Sequence, residues 1–544
     1  MTHGGVVTTR GVVDGIGASR NCPLSDDALA GFCHWPRAPL PEQRCQLGKM
    51  PDWPMLVSKI ARSLFGSYDW PQSLTPPPGR RLRSTDDNPT IPSGYTYLLQ
   101  LVAHDLVNTQ TPFWEVQKGL GTANLQSNPL RLTVLYGGGP AACPVAFAAA
   151  GVDGQDRYKL RTGKFGVAQA SEVTTHFSDL SRIVADGCTE TLIADPRNTD
   201  NAVLSQLTVL FSLLHNTIAD AITGNPKFSS IGPASLPYRA VFEQARSAVE
   251  QIYRRIVLEE LLDKILHPAV LASYREQRKS VWDQSRVPLE LTHAVLRFGH
   301  VMARDFYFLR PDKMRVKLSE SLNFAGPAEA GSTAIPPLWL VQWSSFFEMN
   351  QNGISPNYSR RIGPGMSAEL FDQLSFQPIG EEPPLGLPYR DAKSALLAGL
   401  WSVDALINEV REHAPDLLPA DWVFTDPAAR ARAIAAWLSG KNQQRNLGLT
   451  GCQIDRIAAD PPLWIFVLLE AALDPAIEGR HLGVLASIIF ADVIFGIAAT
   501  AMPDRASGLP AAEQQAIDAI TTMEDCVRYV AAHVPVPAGG LPLI

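Results

Sequence analysis

The chain is 544 residues long, 46% hydrophobic and 8% aromatic, with a formal net charge of −7. Such a chain buries a large core, as one unit or as up to about three domains. Its acidic and basic residues are interspersed, so no field stands ready for a phosphate backbone and nucleic acid is excluded as a partner.

In chain order, Met1 to Arg10 lacks the apolar stretch of a signal peptide, which points to the cytoplasm. Residues 1–93 are rich in Pro and Gly, with Pro76-Pro77-Pro78-Gly79 interrupting any long helix, and read as an arm with short helices. Residues 94–544 read as one large domain. From Tyr95 the apolar positions recur three and four apart, through Leu98, Leu99, Val102 and Leu106, which predicts a helix. The same spacing predicts helices over Leu204–Ile222, Ala240–Leu266, Leu289–Phe306, Ala392–Val410, Ala428–Leu438, Pro462–Leu473 and His481–Ala499. Strand signals are few and short. Gly137-Gly138-Gly139-Pro140 is a turn without the Lys-Ser/Thr of a phosphate loop. The apolar run Gly483–Ala501 approaches bilayer length, but it contains Asp492 and lacks basic flanks, so it reads as a buried core helix and no transmembrane segment is expected. The cysteines, Cys22, Cys33, Cys45, Cys143, Cys188, Cys452 and Cys526, are scattered, odd in number and never in a CxxC pair, which argues against a disulfide scaffold or structural zinc.

Chemistry concentrates at two histidines. In Leu98-Leu99-Gln100-Leu101-Val102-Ala103-His104-Asp105, Gln100 and His104 are four apart and share a helix face, while Asp105 points about a quarter turn away. On its own, a His-Asp pair on a helix is more often structural than functional. The second histidine closes Leu296-Arg297-Phe298-Gly299-His300.

These segments resemble the animal-type haem peroxidase family, whose distal helix reads roughly Gly-Gln-x-x-Asp-His-Asp. Gln100, His104 and Asp105 match it, with Leu99 and Ala103 replacing the Gly and the first Asp. Ala194-Asp195-Pro196-Arg197-Asn198-Thr199-Asp200-Asn201 is similar to the family's Gly-Asp-x-Arg-x-x-Glu, and Phe211 to Asn216 to the helix that follows, in which His215 reads as structural. Leu296 to His300 resembles the proximal Phe-Arg-Phe/Tyr-Gly-His, and Leu387-Pro388-Tyr389-Arg390-Asp391 the supporting Leu-x-x-Arg-Asn. Pro461 to Ala471 with Leu482-Gly483 is similar to the closing helices of bacterial members. The matches fall in the family's order over most of the chain.

The resemblance implies a mainly α fold, a large single helical domain holding haem b between a distal and a proximal helix. It also implies site roles. His300 is the iron's axial ligand, backed by Asp391, with Arg297 facing a propionate. His104 is the neutral base that moves a proton between the two peroxide oxygens, assisted by Gln100. Arg197 stabilises the charge that builds as the O–O bond breaks. The partners would be hydrogen peroxide or an organic hydroperoxide and a small reducing donor.

Several positions depart from the family pattern. The two acids that esterify haem in mammalian members match Ala103 and Asp200, leaving at most one covalent link, at Asp200; the Met that makes a third link in one member matches Asn201. The calcium loop matches Leu130-Arg131-Leu132-Thr133-Val134-Leu135-Tyr136-Gly137, and an arginine supplies no ligand to calcium, so Arg131 is expected to replace the ion by pairing with Asp105. The supporting Asn is Asp391, which should donate more strongly to His300 than an amide would. A further family arginine matches Ser394, with Lys393 as its substitute.

Three other readings stay open. A fatty-acid dioxygenase or cyclooxygenase shares the fold, but those relatives carry a radical-forming tyrosine three residues before the proximal histidine, where this chain has Arg297. The others are a haem-binding protein without turnover and a haem-free structural or interaction protein.

Overall fold

The computed structural model describes residues 24–544 apart from 72–73, 112, 114–115, 117–120, 149–156, 164–178, 186–187, 225–237, 278–279, 283, 312, 325–338, 350–352, 372–375, 377, 379–381, 441–446, 501–510 and 535–542. It is mainly helical, and the strands among the described residues form three two-stranded antiparallel sheets.

The core is built on helices that are apolar all round, the signature of full burial. Leu463–Leu473 and Val484–Ala499 are such helices, buried along nearly their whole length. Each contains one carboxylate, and each carboxylate is fully engaged with hydrogen-bond donors, as burial requires. Glu470 accepts from the backbone N–H groups of Leu485 at 2.8 Å and Ala486 at 3.4 Å, capping the first turn of the second helix. Burial pushes the Glu470 carboxyl up to about 8. Asp492 accepts from Trp35 Nε1 at 2.9 Å, Tyr274 Oη at 3.1 Å and the backbone N–H groups of Val281 and Trp282 at 2.6 and 3.4 Å. The apolar run is thus a core helix, and its one charge is a tie point.

Ala202–Thr223 is the one helix among the described residues long and apolar enough to cross a membrane, and 89% of its most apolar window is buried inside the fold. Asn201 caps it by accepting from Leu204 N at 2.8 Å. Tyr238–Arg255 continues through a π-helical turn, Ile256–Leu261, into Leu262–Ile265. In that turn, Glu260 accepts from Tyr95 Oη at 2.6 Å and from Met523 N at 2.8 Å, joining the helix Gly94–Leu106 to Met523–His533.

Two predicted helices are broken. The spacing over Leu289–Phe306 predicts one helix, but the chain forms Leu289–His293, leaves the helical region at Ala294 (φ −125°, ψ −69°), makes one 3₁₀ turn over Val295–Arg297 and resumes as Phe298–Val301. Phe306 then opens a strand, Phe306–Arg310, paired with Lys313–Lys317. The break lets Arg297 Nε reach back to Thr292 O at 3.1 Å, a tertiary demand that no Gly or Pro announces. The stretch Ala392–Val410 is likewise two helices, Gly386–Leu397 and Val403–His413, turning at Gly399, whose φ of 60° is open to glycine at little cost.

Residues 24–64 lie across these helices. Leu24 N donates to Leu397 O at 2.9 Å, Leu289 N to Cys33 O at 2.9 Å, Cys45 N to Leu400 O at 3.0 Å and Ser402 N to Gln43 O at 2.7 Å. Trp53–Ser63 is an α-helix in this stretch, and it packs on Gly386–Leu397. Among the described residues Cys33, Cys45, Cys143, Cys452 and Cys526 are free thiols.

Candidate active site

Every residue of Gly94–Leu106 is buried. This distal helix packs against both Ala202–Thr223 and the short proximal helix Phe298–Val301. The approach to the latter is close, since a Cβ on Gly299 would stand 3.3 Å from Leu99 Cδ2. The two histidines singled out by sequence therefore sit on elements that touch.

On the distal side, His104 is fully buried and donates Nδ1–H to Asn198 Oδ1 at 3.0 Å. Its Nε2 lies 3.9 Å from Asp200 Oδ2. Burial, and then the Arg197 charge, push the imidazole down to about 4 against the opposing pull of Asp200 and Asp195, so it is neutral over the ordinary pH range. Gln100 accepts through Oε1 from Asn201 Nδ2 at 3.0 Å; its Nε2 is buried and has no hydrogen-bond partner among the described residues.

Arg197 is buried too, and its guanidinium is committed to the protein. Nε and Nη2 bind the Asp195 carboxylate at 2.6–3.2 Å, Nη2 also donates to His104 O at 2.9 Å, and Nη1 donates to Val107 O at 2.6 Å. These are carbonyls of the last turn of the distal helix, where a cation is favoured by the helix dipole.

The turn Asp195–Asn201 thus grips one helix at several points. Arg197 holds backbone carbonyls, Asn198 holds the His104 ring and Asn201 holds the Gln100 amide. The family resemblance gives roles to Arg197 and Asp200 and none to Asn198, and it marks Asn201 only as the counterpart of a methionine. An Asx cluster before a helix was the available signal, and it predicts a cap without naming the second partner.

On the proximal side, His300 donates Nδ1–H to Asp391 Oδ2 at 2.6 Å, and Asp391 Oδ1 accepts from Arg297 Nη1 at 3.2 Å. All three are buried. Burial pulls the imidazole down, and the Asp391 carboxylate opposes it. With Nδ1 protonated, Nε2 is the lone-pair nitrogen. Arg297, expected at a propionate, has Nε and Nη1 on Thr292 O and Asp391, and so holds the carboxylate that holds His300. Ser394 and His293 Nδ1 share a 2.6 Å hydrogen bond, and the His293 ring stacks on Phe113 with centroids 4.1 Å apart. Lys393 Nζ is 3.6 Å from Glu382 Oε1.

One expectation is overturned. Arg131 does not pair with Asp105: its Nε lies 3.5 Å from Glu250 Oε2. Asp105 instead accepts from Leu132 N and Thr133 Oγ1, both at 2.9 Å. Leu130 and Leu132 adopt φ of 59° and 49°, a strained region for leucine, and this turns N–H groups toward the carboxylate. Burial outweighs these bonds and pushes the Asp105 carboxyl up to about 6. His215 is structural, donating Nε2–H to Tyr158 O at 2.7 Å and accepting from Tyr136 Oη at 3.2 Å.

A carboxylate-backed histidine thus adjoins a helix that carries a buried neutral histidine, in a mainly helical domain. The sequence model of the animal haem peroxidase family matches residues 152–338, which carry Arg197, Asp200, Arg297 and His300. Among solved structures, the fold is similar to Oryza sativa fatty acid alpha-dioxygenase (TM-score 0.53, 13% identity, 90% of this chain and 79% of that one). A variant of that enzyme with palmitic acid gives a TM-score of 0.52 at 13% identity over the same shares, 90% and 79%. Peroxidase A of Dictyostelium discoideum aligns over 89% of both chains at 15% identity, with a TM-score of 0.48. No curated protein matches the sequence. The family whose model matches is described as a haem peroxidase family, and the donor set here fits that group: an imidazole with Nδ1 fixed by a carboxylate can present Nε2 to iron.

Proposed function

We propose that this chain is a haem peroxidase that reduces hydrogen peroxide or an organic hydroperoxide while oxidising a small donor. The observation that supports this reading is the pairing of two buried imidazoles on touching elements, each with Nδ1–H given to a fixed acceptor, so that Nε2 is the reactive nitrogen of both. His300 would hold haem b, with Asp391 and Arg297 orienting the ring. Haem supplies the redox chemistry when bound.

His104 takes a proton from the peroxide at Nε2 and returns it to the departing oxygen, a role that its neutrality near pH 7 permits. Gln100 Nε2 is a buried donor on the same helix face, able to orient the peroxide. Arg197, its guanidinium paired with Asp195 and bonded to the His104 and Val107 carbonyls, serves that chemistry by holding the helix that carries His104. Asp200 is the one residue assigned to a haem ester, and esterification would remove its negative charge from beside His104.

Fatty-acid oxygenation is the second reading, favoured by the likeness of fold to the rice alpha-dioxygenase. Arg297, bound to Asp391, stands where the dioxygenase relatives place their tyrosine, and this supports peroxidase. The test is the purified chain loaded with haem. Guaiacol oxidation that requires peroxide is the expected result. Oxygen uptake with palmitate and no peroxide would select the second reading, and absence of a Soret band would remove both.

A further inference from the structure

We propose that Asn198 is the positioning residue of the distal histidine, fixing which ring nitrogen of His104 carries the proton; this rests on the peroxidase reading.

Asn198 is fully buried in the turn Pro196–Thr199. Its Oδ1 lies 3.0 Å from His104 Nδ1, and its Nδ2 donates to Val134 O at 3.5 Å. A carbonyl can only accept, so the second contact orients the amide and makes Oδ1 the group that meets the ring. The Asn198 backbone is held in turn, N donating to Asp195 O at 3.1 Å and O accepting from Ser205 Oγ at 3.5 Å. Flanking residues prevent the turn from drifting, since Arg197 is bonded to His104 O and Val107 O and Asn201 to Gln100 Oε1.

The consequence is chemical. An imidazole with no acceptor at Nδ1 is free to carry its proton on Nε2, which would turn the nitrogen on the Asp200 side from a base into a donor. Asn198 holds the proton on Nδ1 and keeps Nε2 basic. An uncharged acceptor suits this role, because a carboxylate in its place would favour the imidazolium and remove the base at higher pH. Among the groups that bear on His104, Arg197, Asp195 and Asp200 are charged and Asn198 is uncharged.

The test begins on the full chain labelled with ¹⁵N-histidine, the His104 signals being assigned with His104→Gln. In the wild type, Nδ1 is expected to be protonated and Nε2 to carry the lone pair at pH 7. Asn198→Leu should give the reverse tautomer or an exchanging mixture. Asn198→Asp, nearly isosteric, should keep the Nδ1–H form and protonate at higher pH. In the haem-loaded protein, Asn198→Leu should lower kcat/KM for peroxide at least tenfold with the Soret band and the donor KM unchanged, and Asn198→Asp should move the acid limb of the pH profile upward. The same tautomer and pH profile in all three proteins would overturn the proposal. Should Asn198→Leu not fold, the upward shift in Asn198→Asp decides alone, and its absence overturns the proposal. A wild type with the Nδ1–H tautomer and no peroxide turnover would sink the peroxidase reading and leave the positioning by Asn198 standing.

Discussion

His104 and His300 are both buried, and both give Nδ1–H to a short side chain on a neighbouring element, yet one acceptor is a neutral amide and the other a carboxylate. The amide fixes a tautomer without adding charge, so burial dominates and the ring stays neutral, as a proton acceptor must. The carboxylate adds charge and makes the opposite nitrogen a better electron donor, as an iron ligand should be. Each acceptor is itself held by an arginine or by the turn that contains one: Arg297 binds Asp391, and Arg197 pins the turn carrying Asn198 to the distal helix. One geometry thus fits the two proposed roles, separated by the charge of a single partner.

The largest effect that would break this contrast is on His104. In the haem-loaded protein, His104→Ala should lower the rate of peroxide consumption about 10²–10⁴-fold with the Soret band retained. In the wild type that rate should hold from pH 7 into the acid range and fall as pH drops through about 4, where the ring gains its proton and ceases to be a base. A limb near the ordinary histidine value would mean that the buried, neutral description is wrong.

Arg197→Ala comes next. It strands the buried Asp195 carboxylate and frees two carbonyls of the distal helix, and should cost about 3–5 kcal/mol in chemical denaturation. A purely electrostatic role for Arg197 would leave stability nearly unchanged and reduce turnover alone. Replacing Asp391 by Asn sharpens the contrast by giving both histidines amide partners, and the ferric/ferrous potential of the haem-loaded protein should then rise. An equal or lower potential in the variant would show that the carboxylate charge is not felt at iron. The smallest effect is expected for Arg131→Ala: its partner is Glu250, its side chain is 29% exposed, and the loss should stay below about 1 kcal/mol. A loss of several kcal/mol would point back to a buried pair with Asp105.

Much of this was legible in the sequence. The helix Ala202–Thr223 follows from its apolar spacing over Leu204–Ile222, and the two histidines follow from motifs that keep their order. What escaped depends on which faces meet. The break at Ala294 carries no local signal, because it serves the Arg297–Thr292 contact, which exists only in the folded chain. Arg131 is matched to Asp105 by its place in the calcium-loop resemblance and by its charge, whereas left-handed Leu130 and Leu132 aim backbone N–H groups at that carboxylate and leave the guanidinium to Glu250. Asn198 is one polar residue among several in its segment, and its partner lies 94 positions away.

Asp492 has a bearing on how the molecule is assembled in time. Its carboxylate collects donors from Trp35, Tyr274, Val281 and Trp282, and the bond to Trp35 spans 457 residues of sequence. Contacts that far apart close large loops, and such closure slows folding and comes after local structure has formed. During synthesis the segment around Trp35 emerges long before its acceptor exists, so its indole N–H waits for a helix made near the end of the chain. The last long apolar helix is therefore also the latch that sets the first described residues in place.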